Sequence, residues 1–216
     1  MSAGFQRARR PEQIEARRRA ILAAARELLA ERPVADISLR ELACHVGLAK
    51  SNVIRYFDSR EAIFLEVLDS AWTAWLDELE EALGEAGPVE PGFAREERVA
   101  GTIAATLTGR RVLCELLSSM APVLERNIPV EFARSFRRRA AANTERLGEL
   151  VRVRVPELPV EAARHFARGV VVLVSGSWPA AHPTAAVAAV DPGDAPAFGL
   201  AEGLTNLLAG LVARGR

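Results

Sequence analysis

The sequence predicts an all-α protein, with an N-terminal three-helix unit and a larger helical domain behind it. Three observations predict this. Apolar residues recur at helical spacing through nearly every patterned stretch, no stretch alternates as a strand would, and prolines mark the starts and stops of the patterned stretches.

Each element follows in order. From Glu12 to Glu31, Ile14, Ile21, Leu22, Ala25, Leu28 and Leu29 fall on one helical face. Pro11 sits where a first-turn proline is tolerated, and Pro33 stops the helix. Ser38-Leu-Arg-Glu41 then reads as a capping box opening a short helix, which Gly47 ends with a left-handed turn. A second short helix is expected over Ala49–Tyr56. Asp58 and Ser59 offer caps for a long helix over Arg60–Leu83. Glycines and prolines make 84–92 a loop. Further helices are expected over 94–108, 110–125, 129–155 and 159–178, the last ending before Pro179. Residues 179–197 read as a long loop and 198–212 as a final helix, for eight or nine helices in all.

Composition excludes other classes. Half of the 216 residues are hydrophobic, which supports a packed core and excludes a disordered or collagen-like chain. Two cysteines, Cys44 and Cys114, are too few for a disulfide scaffold and read as buried, inert thiols. No apolar run approaches the ~20 residues that span a bilayer, and no apolar stretch follows Arg7, Arg9 and Arg10 as a secretory signal requires. A soluble cytoplasmic protein without membrane contact is expected. His45, His165 and His182 are scattered, with no metal spacing, phosphate loop or nucleophile arrangement around them. No enzyme activity, cofactor or metal is expected.

Overall neutrality hides an asymmetry. Residues 1–60 carry twelve Lys/Arg against seven Asp/Glu, a balance of +5, and the remainder carries −5. A basic N-terminal part points to an anionic partner.

The motif inside that part fits a helix-turn-helix. Gly47 allows the tight turn and Ala43 the close crossing of two short helices. Ile21, Leu28, Leu39, Leu42, Val46, Leu48, Val53 and Phe57 supply a trihelical core. Lys50, Ser51, Asn52 and Arg55 remain on the second short helix as side chains able to reach base edges or phosphates. The run from Ile37 to Glu61, above all Tyr56-Phe57 followed by Ser59-Arg60-Glu61, resembles the DNA-binding domain of TetR-type transcriptional regulators, closely over about residues 14–68. It departs at Ile54, where the family often carries an aromatic residue.

The resemblance implies a flexible basic tail (1–11), a DNA-binding domain (12–60) and a ligand-binding and dimerisation domain (61–216). It implies that Lys50, Ser51, Asn52 and Arg55 face the major groove of a double-stranded operator, that the Tyr56 hydroxyl and Arg60 meet phosphates, and that Ser38 and Arg40 reach the backbone or a base. Arg7, Arg9 and Arg10 attract phosphates loosely, with entry into the minor groove as the alternative.

It further implies a small-molecule effector in the larger domain. Trp72, Trp75, Leu113, Leu116, Leu117, Met120, Phe132, Phe136 and Phe166 are pocket candidates, with ordinary core as the other reading. Asn143, Thr144 and Ser175 are the polar candidates, so an apolar or amphipathic ligand is expected. Glu115 and Arg126 read as partners of a polar ligand end or as exposed ion pairs. Phe166–Trp178 is apolar nearly all round. With Gly169, Val170, Leu173 and Gly176 there, and Leu200, Gly203, Leu204, Leu207, Leu208 and Leu211 behind, a four-helix homodimer interface is expected, with monomer core as the alternative. The whole reads as a regulator, most often a repressor in this family, released from a palindromic operator by its effector. The competing reading is a ligand-independent or architectural DNA-binding protein whose larger domain only dimerises.

Overall fold

A computed structural model describes residues 11–85, 92–190 and 199–215. Among these residues there is no strand, and ten α-helices follow in order. They are α1 (Pro11–Glu31), α2 (Leu39–His45), α3 (Lys50–Ile54), α4 (Arg60–Leu83), α5 (Ala94–Thr108), α6 (Arg111–Met120), α7 (Val130–Arg154), α8 (Val160–Ala181), α9 (Ala185–Val190) and α10 (Leu200–Gly215). Short 3₁₀ turns occupy Val34–Asp36 and Leu124–Arg126.

The expected three-helix unit is present. Ser38 Oγ accepts the Glu41 N–H at 3.1 Å and caps α2. The reciprocal half of the capping box is absent, because the Glu41 carboxylate pairs with Arg32 instead. Gly47 takes the left-handed turn at φ +65°, and Ala43 is buried at the α2–α3 crossing. Ser59 caps α4, accepting the Ala62 N–H at 3.0 Å. Ile21, Leu28, Leu42, Val53 and Phe57 are buried together, whereas Ile14 lies before the packed part of α1 and is 38% exposed.

The long helix α4 joins the two parts. Ile63, Phe64, Val67 and Leu68 are buried near its start, and Trp72, Trp75, Leu76 and Leu79 near its end. It packs on α1 and also on α5, α6 and α7. Behind it α6 and α7 pack on α8, and α10 lies across both α5 and α8.

Further expectations need correction. Cys44 is exposed rather than buried, while Cys114 is buried as expected. Helix α8 runs through Pro179 to Ala181. So close to the helix end the missing N–H forfeits one bond, that to the Ser175 carbonyl, and the His182 N–H still reaches the Trp178 carbonyl at 3.0 Å. A six-residue helix, α9, stands inside the expected loop. Helix α6 stops at Met120, with a 3₁₀ turn taking up part of the remainder to 125. Residues 1–10, 86–91 and 191–198, including Arg7, Arg9, Arg10 and Phe198, lie outside the described residues.

Candidate functional site

The first site is the outer face of α2 and α3. Ser38, Arg40, Lys50, Ser51, Ile54 and Arg55 are exposed, and Asn52 and Tyr56 are half-buried. Val53 and Phe57 turn inward between them and join the buried core. Arg40, Lys50 and Arg55 form no ion pair within the described residues. Three cations and short polar groups thus share one solvent-facing surface, an arrangement suited to phosphates and base edges.

Arg60 does not belong to that surface. Its Nε donates to the Ile37 carbonyl at 2.5 Å, one Nη donates to the Val34 carbonyl, and the other meets Glu61 at 3.1 Å. The guanidinium also lies 5.0 Å from the centroid of the Phe64 ring. The expected phosphate ligand is therefore a strut that holds the 3₁₀ turn before α2. Its donors are taken by the Ile37 carbonyl and by the Val34 carbonyl, which also accepts the Ile37 N–H of the turn at 3.3 Å. Arg18, not singled out in the sequence, has a matching role. It donates to the Tyr56 carbonyl, bonds both Glu66 oxygens at 2.6 Å and covers Phe57 at 4.2 Å.

The second site is a cavity of about 350 Å³ between α4, α6, α7 and α8. Of the expected pocket residues, Trp72, Met120 and Thr144 line it. Trp75, Leu113, Leu116, Leu117, Phe136 and Phe166 are core residues instead. They sit on helix faces that neighbouring helices cover, and the Trp75 indole N–H is spent on Thr106 Oγ1 at 3.0 Å. Phe132 packs half-buried against the core. Asn143 and Ser175 are absent from this lining, and the Ser175 hydroxyl donates to the Leu117 carbonyl. The sequence reading missed the arginines at the rim, Arg137, Arg164 and Arg168. Their signal was the i, i+4 pair on α8. Arg137 and Arg164 are paired with Glu125, Glu145 and Glu161, and Arg168 is exposed and forms no ion pair within the described residues.

The α8–α10 pair corrects the expected dimer face in part. Val170, Leu204, Leu208 and Leu211 are buried within the protomer, because α10 packs on α5 with one side and on α8 with another. Gly169 permits that approach: a Cβ there would stand 2.4 Å from Leu207 Cδ2. Leu173, Leu200 and Leu207 stay half-buried, Gly176 is exposed, and Val172 is 69% exposed. Among the described residues no helix is long and apolar enough to cross a membrane.

Comparison with known proteins identifies the architecture. Residues 21–67 match the family described as bacterial regulatory proteins, tetR family, and residues 69–214 match the tetracyclin repressor-like C-terminal domain. The HTH-type transcriptional regulator EthR of Mycobacterium tuberculosis is 48% identical over 50 residues, a match spanning 23% of this chain and 23% of that protein. The solved structure of FadR from Thermus thermophilus, a TetR-family repressor in complex with lauroyl-CoA, aligns over 92% of this chain and 94% of its own, with 21% identity and a TM-score of 0.55. A TetR transcriptional regulator from Rhodococcus sp. RHA1 aligns over 90% and 96%, with 18% identity and a TM-score of 0.52. The two family matches together run from the first helix of the reading unit almost to the end of α10, and the chain belongs to the TetR family of DNA-binding transcriptional regulators.

Proposed function

We propose that the protein is a cytoplasmic, homodimeric repressor that holds a palindromic operator and releases it when a small amphipathic molecule enters the larger domain. The observation that carries this reading is the unpaired set Arg40, Lys50 and Arg55, carried with Ser51 and Asn52 on a unit fused through α4 to a hollow helical domain. Lys50, Ser51, Asn52 and Arg55 read the major groove. Ser38, Arg40 and Tyr56 hold the phosphates.

The cavity favours a ligand with an apolar body and an anionic end. Trp72, Met120 and Val171 offer the apolar wall and Arg168 the unpaired cation at the rim. Lauroyl-CoA, held by the Thermus FadR, has that same division. For the dimer, half-buried Leu173 and Leu207 and exposed Gly176 supply the uncovered remainder of the α8–α10 face.

The test is selection of bound duplexes from a random DNA library at ~150 mM salt, which suppresses non-specific phosphate binding. An enriched inverted repeat with half-sites about 34 Å apart supports the dimeric reader. No enrichment from folded protein refutes it. A 23.4 kDa species in sedimentation at micromolar concentration refutes the dimer.

A further inference from the structure

Glu115, on α6, stands where the two domains meet. One carboxylate oxygen accepts the backbone N–H of Val34 at 3.0 Å, and the other accepts the indole N–H of Trp178 at 3.1 Å. A single side chain thus ties the 3₁₀ turn of the DNA-reading unit to α8. Both bonds have an ionised acceptor, which roughly doubles their strength over neutral pairs. Val34 is 1% exposed, so its N–H has no ready substitute in water.

Trp178 is also the wall of a second cavity, of about 230 Å³, lined further by Leu107, Cys114, Val174, Ser177 and Leu200. It shares no lining residue with the Trp72 cavity. Its size falls below that of drug-sized sites. Its lining contains no carboxylate, lysine or arginine; the polar groups there are the Thr108 and Ser177 hydroxyls, the His182 imidazole and the Cys114 thiol, which burial pushes up to about 12 and so keeps neutral. Ser177 offers a hydroxyl as a polar handle. The Trp178 ring is held against His182, centroid to centroid at 3.7 Å, and a flat ring entering the cavity competes for that face.

We propose that this cavity is a second effector site, for a compact neutral aromatic molecule, and that Glu115 carries its occupancy to the DNA-reading unit. A ligand that turns the Trp178 indole breaks its bond to Glu115 and loosens the carboxylate from Val34. The proposal rests on the reading of α2 and α3 as the DNA-binding face.

The test uses the full chain labelled with 5-fluorotryptophan and indole as the probe. Three tryptophans give three fluorine resonances, assigned with Trp178→Phe. Indole is expected to shift the Trp178 resonance saturably while that of Trp75 stays fixed. Amide exchange at Val34 should accelerate about tenfold or more, the loss of one charge-assisted bond. In Glu115→Ala, which removes both acceptors, Val34 should exchange fast already and ignore indole, while the Trp178 resonance still responds. Trp178→Phe keeps most of the ring bulk and provides a second route to the same loosening if the Ala variant folds poorly. A Trp178 resonance unmoved by indole up to its solubility overturns the site. A Trp178 shift without faster exchange at Val34, or slow exchange in both variants, overturns the coupling. None of these readings uses DNA, so failure of the random-duplex selection is a separate result that removes only the DNA-binding premise.

Discussion

Arg60→Met separates a strut from a phosphate ligand. The substitution keeps an unbranched apolar side chain and deletes the guanidinium, including its contact with the Phe64 ring. Lost with it are the bonds to the Ile37 and Val34 carbonyls and the contact with Glu61. The side chain is 17% exposed, so water replaces little of this. Each bond from a charged group contributes about 1.5–3 kcal/mol, and the bonds do not add fully because they share one group. The Val34 carbonyl also keeps the Ile37 N–H at 3.3 Å. A net cost of about 3 kcal/mol follows, which in a chain of this length lowers Tm by about 6–12 °C. Calorimetry reads that loss. A salt titration of binding to a selected duplex reads the other half: the slope of log K against log salt should stay at its wild-type value. A phosphate contact at this position would flatten it by about 0.9. A flattened slope with an unchanged Tm would refute the strut.

The exposed cations should behave in the opposite way. Arg40→Ala, at the phosphate-holding cation, should flatten the salt slope by about 0.9, whereas Lys50→Ala and Arg55→Ala should relax base preference in the duplex selection; all three should leave Tm within about 2 °C by calorimetry. Gly47→Ala should cost about 1 kcal/mol through its backbone at φ +65° alone, since no atom lies within 4 Å of the added Cβ; urea unfolding reads it. Cys114 makes stability pH-dependent. Its thiol is raised from 9.0 to about 12 by burial, so the unfolded chain loses the proton first as pH rises. This contribution is complete below pH 9 and falls by up to about 1.4 kcal/mol per unit above it, a slope that Cys114→Ala should remove from unfolding measured between about pH 8 and 10.5.

The legible parts of the sequence are those fixed by local chemistry. The bounds of α4 follow from Ser59 at its cap and Gly84 at its end, and the reading unit from Ser38, Ala43 and Gly47. The illegible parts depend on partners far along the chain. Arg60 turns inward because Val34 and Ile37, more than twenty residues earlier, present carbonyl oxygens beside it. Glu115 finds donors 81 and 63 residues away. Val170 and Leu204 resemble interface residues in sequence because an apolar helix shows its composition but not which neighbour covers each face. Here α10 uses two faces inside one protomer.

The arginines offer a path by which a movement of α4 would reach the reading unit. Arg18 bonds Glu66, Arg26 bonds Ser70 Oγ at 2.6 Å, and Arg60 bonds the turn before α2. All three join the first half of α4 to the small unit, so a tilt of α4 acts on that unit through them. At 1.5 Å per residue the 24 residues of α4 make a lever of about 36 Å, and a tilt of about 5° moves its free end by about 3 Å. In the proposed dimer each recognition helix shifts by that amount against a half-site spacing fixed at about 34 Å. Glu115 meets the same unit from α6, away from the lever axis, and so resists rotation that the α4 contacts alone would permit. Holding a body along one line leaves it free to pivot about that line. A second tether removes the pivot, and the tether here ends on a tryptophan that a small ligand can move.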